Sequence, residues 1–254
     1  FTYGQLLFFF ILSSCSNISK NVSIAIQSSL YPNSLKKTIP NYWLIENIKS
    51  FEKEPKKNLN KILNSDFTLI NDGWLNFINF NEFNSLNEEL FFNKLDNRSK
   101  NFLKSFEENQ RNKLFPIGVV PYAIILKNKK EFINLAKQSW DFLLSSQLTN
   151  KIIFPKSPRL LISISEKIKS SNSLAKLKKQ AMLFDDQNML NWLINSDACV
   201  AIVPYSLCSK YFKIDPRLSV VFPEQGVPLM WHFLLSRSNF KKGELTTWIQ
   251  SFEK

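Results

Sequence analysis

Short apolar runs, each stopped by a proline or a polar turn, alternate along this chain with stretches whose apolar residues recur at helical spacing. Strands interleaved with helices in this way bury their apolar faces as a parallel sheet covered by helices, so the pattern restricts the chain to an α/β architecture. Residues 22–27 alternate apolar and polar and open into a loop at Ser28, which predicts a strand. Residues 66–70 form a second short strand, halted by Asn71-Asp72-Gly73, a strong turn signal. Val119-Val120 and residues 123–126 flank Pro121 and read as a strand with a break. Residues 152–154, 198–203 and 218–222 are further strands, ended by Pro155, Pro204 and Pro223. Between them, residues 44–51, 86–106 and 131–144 carry helical spacing. Ser157 or Ser163 is placed to cap one helix, and Asp185 or Asp186 to cap another over residues 187–195. No internal repeat or low-complexity linker divides the chain.

Near the start, residues 6–12 are apolar and run into Leu12-Ser13-Ser14-Cys15. An apolar core of ~7–15 residues followed by small residues and a cysteine is the layout of a bacterial lipoprotein signal, and it is too short for the ~20 residues of a spanning helix. Residues 1–15 are therefore read as a signal segment, with Cys15 as the lipidation site. The remainder is expected to be periplasmic and anchored to the membrane by lipid. The 254 residues are 44% hydrophobic with 23 Phe, ample for a large core. Net charge is +12, but it is dispersed and mostly lysine, with arginine confined to positions 98, 111, 159, 217 and 237. Readers of nucleic acid favour the fork of arginine, so no nucleic-acid partner is expected. His232 is the single histidine, and neither a CxxC nor an HExxH motif is present. A zinc site or a histidine-based triad has no material here, so no metal, cofactor or catalytic residue is expected. Cys199 and Cys208 read as two separate thiols, with a disulfide between them permitted by export.

The order of several segments resembles a known family. The Asp72-Gly73-Trp74 turn is followed by Val120-Pro121-Tyr122 and then by Ser139-Trp140-Asp141-Phe142-Leu143-Leu144. Lys151-Ile152, Ser157-Pro158-Arg159, residues 185–192 and Val220-Val221-Phe222-Pro223-Glu224-Gln225-Gly226 come after. This series, over residues 22–240, is similar to the spermidine/putrescine-binding proteins of bacterial ABC importers. The resemblance implies a two-lobed, periplasmic-binding-protein-like fold of type 2, with a ligand cleft between lobes. Residues 21–115 plus 231–254 would form lobe 1 and residues 116–230 lobe 2. It also implies a monomer that takes up a small-molecule solute, a polyamine or related organic cation, and hands it to an ABC transporter permease.

A polyamine needs carboxylates for its ammonium groups and aromatic faces for its methylenes. Carried over residue by residue, the resemblance places Asp72 and Trp74 on the turn after the second strand, where the family usually has Pro-Ser-x-Tyr. Ser28 and Tyr31 fall in the first loop, and Tyr122 lies in the segment after Pro121. Tyr205 and Ser206 follow the strand of Cys199, but Leu207 and Cys208 stand where an acidic residue is implied. In the last matching strand Met230 takes a Trp place, His232 an Asp place, and Trp231 is shifted by one. A neutral histidine supplies no fixed negative charge. A binding-fold lipoprotein with a different solute, or with a structural or interaction role, is the alternative these departures leave open.

Overall fold

The computed structural model describes residues 21–27, 31, 33–48, 54–86, 92–186, 188–208, 211, 214–237 and 242–251. The lipoprotein signal with Cys15, and Ser28 in the first loop, lie outside the described residues.

Nine strands form one mixed sheet: β1 (Ser23–Ile26), β2 (Leu44–Asn47), β3 (Phe67–Asn71), β4 (Phe115–Lys127), β5 (Ile152–Phe154), β6 (Ala181–Phe184), β7 (Val200–Pro204), β8 (Leu218–Val221) and β9 (Leu229–Ser236). Their order is β2-β1-β3-β9-β4-β7-β5-β6, with β8 added on β4. The β1–β2, β1–β3, β5–β6 and β5–β7 pairs are parallel, as the strand–helix alternation predicts. Every pair made by β4 or β9 is antiparallel. The all-parallel expectation therefore fails where two long strands tie the ends of the sheet together.

The 13-residue β4 is the spine. Residues 115–121 pair with β9, and residues 122–127 pair with β7 and β8. Pro121 sits at the change of partner and does not break the strand. The next N–H, that of Tyr122, donates to Pro228 O at 3.0 Å. Hydrogen-bonding sides alternate in an antiparallel ladder, so Pro121 faces away from β9 and no bond to it is lost.

Two halves hang from this spine. The first packs β1, β3 and β9 with Trp43, Phe115, Trp231 and the helix Lys242–Gln250 around one apolar cluster. The second carries a cluster on each face of its sheet. Ile124, Leu126, Phe154 and Val200 point to one side, and Ala123, Ile125, Ile153 and Ala201 to the other. A strand covered on both faces must be apolar at every position, which is why residues 123–126 and 200–203 read as continuous runs.

Three helical expectations change. Residues 86–106 do not form one continuous helix: a helix starts afresh at Asn97–Leu103, where the Asp96 side chain accepts the Ser99 N–H. Residues 44–47 are a strand, because Leu44 N–H donates to Val22 O and Ile48 N–H to Ile26 O, extending the parallel ladder from β1. Tertiary pairing overrides a spacing that fits a helix. The 131–144 helix is interrupted at Ser139, whose backbone is extended and whose side chain accepts the Asp141 N–H. That local bond competes with the helix and starts a 3-10 turn, Trp140–Leu144. Cys199 and Cys208 are both free thiols, as two separate residues.

Candidate functional site

The clearest polar contact across the two halves starts at the end of β3. Asn71 closes the turn by accepting the Gly73 N–H on its side-chain oxygen at 2.9 Å, and the chain continues as the 3-10 helix Asp72–Phe77. Asp72 is thereby buried just past the end of β3. From the second half, β5 leads through Pro155 into the helix Pro158–Ser165, and Arg159 projects from its first turn. Arg159 Nη2 meets Asp72 Oδ2 at 2.8 Å. The pair is lopsided: the aspartate side chain is 4% exposed and the arginine 62%. Burial pushes the Asp72 carboxyl above its ordinary range, and the guanidinium charge works against that rise.

Tyr122 stands where β4 changes partners, opposite Pro204 at the end of β7. Burial raises its hydroxyl pKa, and the carboxylates of Asp72 and Asp186 add to that, with Arg159 opposing. The same hydroxyl therefore feels acids from both halves. Asp186 is held by the Lys156 N–H at 3.0 Å, and it borders a depression of about 190 Å³. Asn188, Asn191, Leu207 and Tyr211 line the depression with it. Asp186 was expected as a helix cap, but the helix begins at Met189 and its cap position is Asn188. Asp185, the other expected cap, accepts the Trp192 indole N–H at 2.9 Å instead.

Other sequence candidates distribute differently. Tyr205 follows β7 directly, is partly exposed, and meets Phe222 edge-on at 5.4 Å between ring centres. Ser206 lies beside it with a buried hydroxyl that has no hydrogen-bond partner. Register thus brings Tyr122, Tyr205 and Ser206 to one end of the second half. Trp74 does not stand with Asp72 as an exposed aromatic shelf, since its ring is buried in the first core. Trp231 is likewise core, stacked on Phe102 at 4.2 Å and 10°. His232 is 3% exposed with no partner on either ring nitrogen, and it packs against Tyr31 at 4.7 Å between ring centres. Burial lowers its pKa to about 4, so it is a neutral packed side chain. The Tyr31 hydroxyl is also buried without a partner, and burial raises its pKa.

Sequence reasoning missed Arg159 and Asp186 as site groups. Ser157-Pro158-Arg159 had been used only as a motif, although proline in a first helical turn does signal where the next side chain projects. Several motif residues turn out to be scaffold. Trp140 is fully buried, its indole donates to Gly226 O at 2.9 Å, and its backbone N–H donates to Gln225 Oε1 at 3.0 Å. Gly226 has φ of +83°, a conformation that favours glycine at this turn.

The mixed α/β fold, one sheet flanked by helices, matches that of solved periplasmic binding protein structures. Solved structures similar to the chain include the spermidine/putrescine ABC transporter substrate-binding protein PotD of Streptococcus pneumoniae, at 13% identity and TM-score 0.57, covering 91% of this chain and 76% of that one. The TpPotD lipoprotein of Treponema pallidum is similar at 15% identity and TM-score 0.57, covering 91% and 79%. The apo ferric ion-binding protein A of Pasteurella haemolytica reaches TM-score 0.62 at 12% identity, covering 91% and 78%. No family model and no curated protein matches the chain. Among the described residues no helix is long and apolar enough to cross a membrane, and no three His, Cys, Asp or Glu side chains cluster as a metal site.

Proposed function

We propose that the chain is the extracytoplasmic solute-binding protein of an ABC importer, that it carries an organic cation of the polyamine type, and that Cys15 tethers it to the membrane. One observation supports the cation most directly: the buried Asp72 carboxylate at the cleft already holds an organic cation, the guanidinium of Arg159. A buried carboxylate retains its charge only beside a positive partner, and a ligand ammonium meets that need as well as a side chain does. Asp186 supplies a second carboxylate from the other half, and Tyr122 and Tyr205 supply aromatic surface for methylenes. The reading makes residues 21–115 with 231–254 and residues 116–230 two lobes that close on the ligand, turning about Pro121 and Tyr122. Closure presents the complex to a permease, and no bond is made or broken.

Thermal unfolding with and without millimolar spermidine, putrescine, ferric ion and neutral solutes tests this. Ligand at 100 times its Kd adds ~2.7 kcal/mol of native-state stability, a rise of several degrees in Tm. Spermidine or putrescine is expected to give that rise, and Asp72→Asn to abolish it. A rise with ferric ion alone, or with a neutral solute alone, would replace the ligand and keep the carrier. A cooperative transition unmoved by every solute would favour the binding-fold lipoprotein with a structural or interaction role.

A further inference from the structure

We infer that the second half carries a membrane-facing surface, in which the outer side of the helices Pro158–Ser165 and Ser173–Gln180 rests on a layer of anionic phospholipid headgroups. The inference goes beyond the carrier reading and does not depend on which solute the cleft takes.

The surface arises from the way the fold sorts residues 151–179. This stretch holds seven lysines and Arg159 against a single acid, Glu166. Along the chain the lysines are interleaved with apolar residues. In the fold Leu160, Leu161, Ile164 and Leu177 all turn into one cluster on one side of the sheet. Helices that bury one stripe present the opposite stripe to water, so Lys169, Lys176, Lys178 and Lys179 are exposed on the outer side. Asp141 adds one further carboxylate at this side, where it accepts the Lys169 N–H at 2.9 Å.

The other side of the same sheet has the opposite sign. Residues 181–208 contain no lysine or arginine, and they carry Asp185, Asp186 and Asp197. These acids flank the helix Met189–Asn195, whose Met189, Leu190 and Leu193 pack on the far side of the sheet from Leu177. The depression bordered by Asp186 lies on that acidic side. A body charged positive on one face and negative on the other is oriented by a negatively charged plane.

The composition of the basic face selects lipid over other anionic partners. Lysine is depleted from the cores of protein–protein interfaces, and nucleic-acid surfaces use arginine forks and exposed aromatic platforms among their basic groups. Here the cations are lysines, and the large apolar side chain they surround is Ile162, 45% exposed on the helix Pro158–Ser165. An apolar residue ringed by lysines suits the boundary between headgroups and acyl chains. Each lysine near an anionic lipid surface contributes about fivefold in affinity, and the effect is confined to a Debye length.

Cosedimentation of the full chain with vesicles tests this, using phosphatidylcholine alone and equal parts phosphatidylcholine and phosphatidylglycerol. The chain is expected to prefer the anionic vesicles, and to lose that preference in 1 M salt, where the screening length is about 3 Å. The triple variant Lys176→Gln, Lys178→Gln, Lys179→Gln should lose on the order of a hundredfold in affinity for them. Lys56→Gln, Lys57→Gln, Lys104→Gln removes the same charge from the first half and should lose less than a tenth as much. Glutamine is as good a helix former as lysine, and an unchanged Tm in both variants checks that each remains folded. Ile162→Ser should weaken anionic binding by a smaller factor. Equal losses in the two triple variants would make net charge the cause and overturn the proposal. Equal binding to both kinds of vesicle, or to neither, would overturn it as well. Tighter binding to duplex DNA than to anionic vesicles at the same salt would make the face a nucleic-acid site instead. Because the lysines lie away from Asp72, the solute-dependent rise in Tm should persist in both triple variants, so the carrier reading stands or falls separately.

Discussion

Two buried polar places lie close together in the first half and have opposite fates. His232 pairs in register with Asn71, the residue before Asp72. His232 has no hydrogen-bond partner, packs against Tyr31 and is held neutral by burial alone. Asp72 is buried to a similar degree, but a guanidinium reaches it from the other half. The difference teaches that burial by itself removes charge from a site, and burial beside a mobile cation preserves it. By resemblance His232 stood for a lost ligand-binding aspartate. In the fold that position is sealed by Tyr31, and the carboxylate that meets a cation is one strand away.

The sharpest way to break the comparison is to put the implied carboxylate back. His232→Asp buries a charge with no cation beside it, and a loss of about 3–5 kcal/mol is expected in denaturant unfolding at pH 7. A loss under about 1 kcal/mol would mean that the position is wet and belongs to the cleft.

Acid offers the next largest effect. The His232 pKa falls from 6.5 in the unfolded chain to about 4 in the native one. Between those values the unfolded state binds more protons, so stability rises with pH through this window and is lost as pH falls from about 6.5 towards about 4. The wild-type chain should lose on the order of 3 kcal/mol from this group across the window. His232→Leu should flatten that part of the curve and cost little at pH 7, because it removes two unpartnered nitrogens along with the ring. An equally steep slope in His232→Leu would assign the acid sensitivity elsewhere.

These outcomes bear on how much of the molecule the sequence revealed. β1, β3, β5, β7 and β8 were legible because proline and Asn-Asp-Gly stops bound short apolar runs, and a strand must be short, apolar and terminated. The edge strand β2 was not. Leu44 and Ile45 are exposed, so their spacing carried no burial signal, and only pairing with β1 makes them a strand. At the site, Asp72 and Tyr122 were nameable from turn and strand-end positions. Arg159 was not, because an arginine after Ser-Pro looks like an ordinary helix start until the fold sets it against Asp72. Trp74 and Trp231 show the opposite error: an aromatic beside a polar residue suits a ligand or a core equally well, and packing against neighbours distant in sequence decides which.

Asp72→Asn sharpens the comparison from the side of the cleft. Because burial raises the Asp72 carboxyl pKa despite Arg159, its ionised form is held at a net cost in the native state. Removing the charge leaves Arg159 largely solvated, so nothing is stranded. Asp72→Asn is expected to be neutral or more stable by about 1 kcal/mol at pH 7. The sign of its pH dependence follows: a carboxyl whose native pKa is raised binds more protons folded than unfolded, so any advantage of the asparagine is present at neutral pH and disappears as pH falls through the raised pKa.

The smallest effect should be Arg159→Gln on stability. The arginine end of the pair is mostly exposed, and such pairs contribute about 0–1 kcal/mol and weaken with salt. Its removal should move the denaturant midpoint by no more than that, and by less in 0.5 M salt. A large loss of stability in Arg159→Gln would instead make the contact with Asp72 a structural tie, and the two buried polar places would then differ only in how the fold neutralises them.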